Sequence, residues 1–238
     1  MNTNYTTINY EEALNIVSNN GHNLDYLFDD LKNNKNIVLA AVRNSGVALS
    51  YVCDELRDDK DVVMAAVSQD ASALMFASDR LKNDKEIVLT AIKKSGRVLR
   101  YASAELQDDY EVVLTSISKR GDALKYASNN FKNNYDFVLI AVKQNGFSLA
   151  FGSQELKNNY DIVLAAIIEN KNSFEYASNG LKQNISLLEL YLNNFSIDKA
   201  NNRNFYKECE LGLKLIKEQE YLEKNTPINK TQTKARKF

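Results

Sequence analysis

Residues 81–105 read Leu-Lys-Asn-Asp-Lys-Glu-Ile-Val-Leu-Thr-Ala-Ile-Lys-Lys-Ser-Gly-Arg-Val-Leu-Arg-Tyr-Ala-Ser-Ala-Glu, and the same 25-residue pattern begins again at Leu31, Leu56, Leu106, Phe131 and Leu156. A fixed period of this length marks stacked supersecondary units rather than one central core. Within the stretch, the block Ile87-Val88-Leu89-Thr90-Ala91-Ile92 is rich in β-branched residues and, taken alone, is compatible with a strand. Its surroundings favour a helix. Asn83 stands three residues before Glu86, as an N-cap would, and the equivalent caps are Asn33, Asp58, Asp108, Asn133 and Asn158. Polar residues follow the block, and Gly46, Gly96, Gly121 or Gly146 then closes it as a C′ glycine would.

A second, shorter helix is expected next. In it Leu49, Leu74, Leu99, Leu124, Leu149 and Phe174 lie two residues before Tyr51, Phe76, Tyr101, Tyr126, Phe151 and Tyr176, and both sets are expected on the inward side. In two copies Ala71 and Lys171 replace the glycine, after Asp70 and Asn170, which predicts a turn shifted by one residue. The whole reads as an all-α protein, an α-solenoid of stacked helix-turn-helix repeats. Residues 1–30 form a degenerate N-terminal repeat or cap, with a weak helix start because Glu12 stands where later copies have Val, Ile or Phe. Residues 31–180 hold six clear repeats. Residues 181–224 decay into a degenerate repeat and a capping helix over 204–224, and residues 225–238, with Lys230, Lys234, Arg236 and Lys237, form a disordered basic tail.

Composition narrows the function classes. Thirty Lys and Arg nearly balance 31 Asp and Glu, so no global charge points to nucleic acid or a membrane surface. Two cysteines, Cys53 and Cys209, and one histidine, His22, supply neither a disulfide scaffold nor a zinc site. No apolar run reaches the ~18–20 residues of a membrane span, and the first residues lack the character of a signal peptide. A reducing compartment, the cytoplasm, is the expected setting.

The phrases Asn83-Asp84-Lys85-Glu86-Ile87-Val88-Leu89, Ala141-Val142-Lys143-Gln144-Asn145-Gly146 and Tyr101-Ala102-Ser103-Ala104-Glu105-Leu106 resemble the DUF4116 family of short helical repeats, a domain of unknown function. The resemblance covers residues 31–180. It implies the architecture, and neither an activity nor catalytic residues. Repeats of this kind look typical of protists, giant viruses and some intracellular bacteria, so for a viral chain the host cytoplasm or a virion would be the setting.

Three sets of residues are candidates for function. Acidic residues gather at the first-helix start (Asp58, Asp59, Asp61, Asp84, Glu86, Asp108, Asp109, Glu111), and basic ones near the inter-helix turn (Arg43, Lys93, Lys94, Arg97, Arg100, Lys119, Arg120, Lys125). Stacking is expected to produce one acidic and one basic edge. Helix-dipole complementation accounts for such a distribution without any ligand, whereas the cluster from Lys93 to Lys125 would suit an acidic protein partner. Tyr110, Tyr135 and Tyr160 occupy the first helical position where earlier copies have Lys35, Lys60 and Lys85, and would form a solvent-facing strip for a protein partner or simply cover neighbouring stems. The recurrent aromatic beginning at Tyr51 is expected to be core, and His22 a surface residue.

No cofactor, metal ligand set, catalytic constellation or phosphate loop is evident, because the carboxylates and glycines recur once per copy. The expectation is a non-enzymatic scaffold for protein–protein interaction. Structural assembly and weak nucleic-acid binding through the basic edge remain as alternatives, and the oligomeric state is open.

Overall fold

The fold, taken from a computed structural model, is described for residues 8–184 and for residues 187, 189 and 214. The expected capping helix over 204–224 and the basic tail over 225–238 lie outside these described residues, apart from position 214. Helices account for all the regular structure in the described part, and no strand occurs there.

Each unit has three pieces where the sequence predicts two. Unit four shows them: a ten-residue α-helix Lys85–Lys94, a six-residue 3-10 helix Gly96–Tyr101, and a last short turn, here Leu106–Asp108. Seven long helices are present: Tyr10–Asn19, Lys35–Asn44, Lys60–Gln69, Lys85–Lys94, Tyr110–Lys119, Tyr135–Gln144 and Tyr160–Glu169. They define units one to seven. The long helices pack side by side in one row and the 3-10 helices in a second, with each long helix resting on its own 3-10 helix and on the preceding one.

Long-helix positions three, four, seven and eight are buried in every unit from the second on, for example Ile87, Val88, Ala91 and Ile92. With the 3-10 leucines Leu49, Leu74, Leu99, Leu124 and Leu149 they form one continuous apolar cluster running from Ala13 to Leu187. The aromatics after those leucines are half-buried at the rim of this cluster, not inside it. A 3-10 helix has three residues per turn, so a side chain two positions after the leucine points about 120° away from it.

The caps lie one residue later than the sequence predicts. Asn34, Asp59, Asp84, Asp109, Asn134 and Asn159 accept backbone N–H groups at the starts of the long helices. The residues just before them end the short helices and serve a different purpose. The hydroxyls of Ser78, Ser103, Ser128 and Ser178 donate to Asp58, Asn83, Asp108 and Asn158 of the preceding unit. Beside these bonds runs a backbone one, from Ser103 N–H to Lys82 C=O at 3.0 Å, and it recurs at Ser78, Ser128, Ser153 and Ser178. The first unit is no weak start: Asn9 and Glu12 exchange hydrogen bonds in a full capping box. Glu12 replaces an apolar residue for that reason.

The glycine has a different purpose from the predicted one. No residue among those described has a positive φ, so none is a left-handed C′ residue. The glycine opens the 3-10 helix, and a Cβ on Gly121 would lie 2.2 Å from the Ala141 carbonyl oxygen of the next unit. The same conflict recurs at Gly21, Gly46, Gly96 and Gly146. Its absence lets adjacent units touch backbone to backbone. Ala71 and Lys171 begin their 3-10 helices at the same register as the glycines, so the expected one-residue shift does not occur.

Ser148 marks a defect in this packing. It is fully buried, and its hydroxyl has no hydrogen-bond partner, whereas Ala48, Ala73 and Ala123 stand at the equivalent place. Ser148→Ala is expected to stabilise the protein by about 0.5–1 kcal/mol, read as a higher urea midpoint, because a lone buried hydroxyl is costly. A comparable loss of stability would mean that the hydroxyl is satisfied in solution.

Candidate interaction surfaces

The edge that joins the starts of the long helices is not simply acidic. Lys35 Nζ lies 2.8 Å from Asp59 and 2.9 Å from Asp61 of the following unit. Lys60 bridges Asp84 and Glu86 in the same way, and Lys85 bridges Asp109 and Glu111. Burial raises the carboxyl pKa of Asp59, Asp84 and Asp109. The lysine and helix N–H hydrogen bonds outweigh it, so all three sit below the ordinary carboxylate range. A depressed carboxylate contributes stability above its unfolded pKa and loses it as pH falls through the folded value. The array is therefore expected to weaken below about pH 4. Changing Asp59, Asp84 and Asp109 together to Asn should flatten that acid limb in urea titrations at stepped pH.

Where the lysine gives way to tyrosine, the cap changes with it. Lys35, Lys60 and Lys85 precede Asp59, Asp84 and Asp109, whereas Tyr110, Tyr135 and Tyr160 precede Asn134, Asn159 and Asn184, as Tyr10 precedes Asn34. A carboxylate cap is present only where a lysine can neutralise it. Lys85→Tyr alone should therefore destabilise the array, and adding Asp109→Asn should restore part of the loss, measured as a double-mutant cycle in urea midpoints. Equal, additive losses would separate the two positions.

Tyr110, Tyr135 and Tyr160 are 65%, 39% and 40% exposed, so all three are accessible. Tyr110 also sets its ring edge against Phe137 of the next unit, with centroids 5.2 Å apart. Four residues on, on the same helical face, a seam of half-buried apolar residues runs through Leu39, Met64, Leu89, Leu114, Leu139 and Leu164. One stretch of it forms a groove of about 700 Å3 lined by Leu39, Arg43, Asp61, Met64, Ala65, Ser68 and Gln69. Sequence reasoning missed this seam. The signal is the apolar block itself, six residues long at 37–42, 62–67, 137–142 and 162–167, since such a run wraps a helix on all sides and leaves some residues facing outward.

The basic residues do not form a continuous edge either. Lys93, Lys94, Arg97, Arg100, Lys119, Arg120 and Lys125 are all exposed and confined to units four and five. Arg97 and Arg120 share the carboxylate of Asp122, at 2.7 and 3.2 Å. Burial would raise the Asp122 pKa, but the two guanidiniums hold it low. Arg100 lies 4.4 Å above the Tyr101 ring and Lys125 5.8 Å from that of Tyr126, so the rim aromatics carry cations on their outer side. Lys93, Lys94 and Lys119 make no ion pair among the described residues.

Lys94 and Lys119 occupy a place that elsewhere binds units together. Asn44 Oδ1 accepts from Gly21 N–H at 2.8 Å while its Nδ2 donates to Ser18 C=O, and Gln69 repeats this with Gly46 and Asn44. Gln144 donates to Ser118 C=O at 3.2 Å. A lysine has no acceptor and cannot receive that N–H group. His22 sits 3.3 Å from Ser45 Oγ and edge-on to Tyr51, contacts the sequence did not indicate. No group of three or more His, Cys, Asp or Glu suited to a metal ion occurs among the described residues, and no described helix is long and apolar enough to cross a membrane.

One family model matches the chain four times, over residues 9–57, 59–107, 109–155 and 146–182. The first three matches begin at the long-helix caps Asn9, Asp59 and Asp109, and each spans about two structural units. The chain belongs to the DUF4116 family. That family is described as a domain of unknown function, and in this chain a DUF4116 domain is a pair of three-piece units. No curated protein matches, and no solved structure does.

Proposed function

We propose that this DUF4116 array is a non-enzymatic scaffold for protein–protein interaction, and that the basic patch on units four and five docks an acidic protein partner in a reducing compartment such as the cytoplasm. The substitution at Lys94 and Lys119 supports this most directly. At two consecutive junctions an amide that stitches neighbouring units is replaced by a cation with no ion pair among the described residues. Helix-dipole complementation covers the basic residues in the last turns of the long and 3-10 helices, Arg100 and Lys125 included, but not Arg97, which lies in the first turn of its 3-10 helix.

The test is a variant with Lys93, Lys94, Arg100 and Lys119 changed to Ser, leaving the Arg97–Asp122–Arg120 cluster in place. Binding of a polyglutamate-rich peptide at physiological salt should fall by about tenfold or more, with helical circular dichroism unchanged. Unchanged affinity would remove the patch from the interaction. Labelled RNA provides the contrast: tight, steeply salt-dependent binding would favour nucleic acid instead.

A further inference from the structure

The tyrosine half of the long-helix face differs from the lysine half in more than the aromatic rings. In units two to four each helix start is a closed set, in which one lysine neutralises the cap and the next carboxylate of the following unit. In units six and seven the caps are the uncharged amides Asn134 and Asn159, yet Asp136 and Asp161 remain, exposed and with no ion pair among the described residues. Each therefore lies one residue after an exposed tyrosine, on the face that also carries Leu139. A ring face and an uncompensated carboxylate, offered side by side and repeated, are the two attractions that an arginine or lysine side chain responds to.

We propose that this face binds an extended basic polypeptide segment with an arginine or lysine at every third residue. Packed helices lie about 8–10 Å apart, and three residues of a chain extended in the polyproline II conformation cover about 9 Å and return to the same side. One cation would thus meet Tyr110 and Asp136, and the next Tyr135 and Asp161. Intervening apolar side chains would enter the seam at Leu139. The inference rests on the scaffold reading but uses a different surface and a partner of opposite charge. Retention of acidic-peptide binding at the basic patch with no binding here would sink this proposal alone.

The experiment titrates the full chain with a synthetic peptide of four Arg-Ser-Leu repeats, against a peptide of the same composition with its arginines grouped at one end. The spaced peptide should bind the more tightly. Its affinity should fall about tenfold or more in the variant Tyr110→Lys, Asn134→Asp, Tyr135→Lys, Asn159→Asp, which copies the pattern of units two to four and so preserves their inter-unit contacts. A second variant, Asp136→Asn with Asp161→Asn, leaves the tyrosines in place and should lose affinity too. Equal binding of both peptides, or unchanged affinity in the two variants, overturns the proposal. So does absence of saturable binding at about 1 mM, which corresponds to only ~4 kcal/mol. Concentration-dependent dimerisation abolished by the fourfold variant would assign the face to a second copy of the chain, and would overturn it as well.

Discussion

Replacing Gly121 by alanine is expected to destabilise the array by about 2–3 kcal/mol, at the upper end for adding one methyl group to a packed core. The new Cβ would fall 2.2 Å from the Ala141 carbonyl oxygen and 2.8 Å from Ser148 Oγ. The first of these is backbone, engaged by Asn145 N–H at 2.9 Å, and has little room to retreat. No strain in φ is involved, because the glycine is not in the left-handed region. Ala71 supplies the comparison. It fills the same register with a real Cβ, so Ala71→Gly should cost no more than about 1 kcal/mol. Because each unit contacts mainly its neighbours, a weakened junction should also separate unfolding into two steps. A single sharp urea transition with an unchanged midpoint would show that units five and six do not meet as described.

Leu99→Ala should cost about 3–4 kcal/mol, within the usual range for a fully buried leucine. Tyr101→Ala should cost about 1–2 kcal/mol, because only one side of the ring lies against the core. The order of the two effects is the informative part, measured by urea unfolding of both variants. A larger loss at Tyr101 would place the aromatic inside and the leucine at the rim, opposite to the geometry of the 3-10 helix.

These two residues also show how far the sequence could be read. The period, the all-helical class and the buried positions of the long helix follow from spacing, since the repetition averages out local ambiguity such as the strand-like block at Ile87. The second piece of each unit was harder. A six-residue segment has too few turns to separate a 3-10 helix from an α-helix by periodicity, so spacing alone does not distinguish the rim position of Tyr101 from the inward one of Leu99. Gly96 and its equivalents fit the commonest use of a glycine after a helix, and only the neighbouring backbone reveals the close approach. The caps slipped by one because both Asn83 and Asp84 are good capping residues, and the donating serine lies twenty residues further on. At the surface, the basic cluster and the tyrosine strip were visible as residue types. Their pairing was not, because Lys85 meets Asp109 across a unit boundary.

That boundary pairing bears on how such a chain can grow. Duplicating residues 85–109 in frame would join a lysine edge to an aspartate edge and should be accepted like another link. Moving a tyrosine-bearing module into the first half would set an aromatic ring against an uncompensated carboxylate. The modules are thus interchangeable only where tyrosine meets an amide cap or lysine a carboxylate cap, and the chain carries a grammar of neighbours written at single positions on either side of each seam.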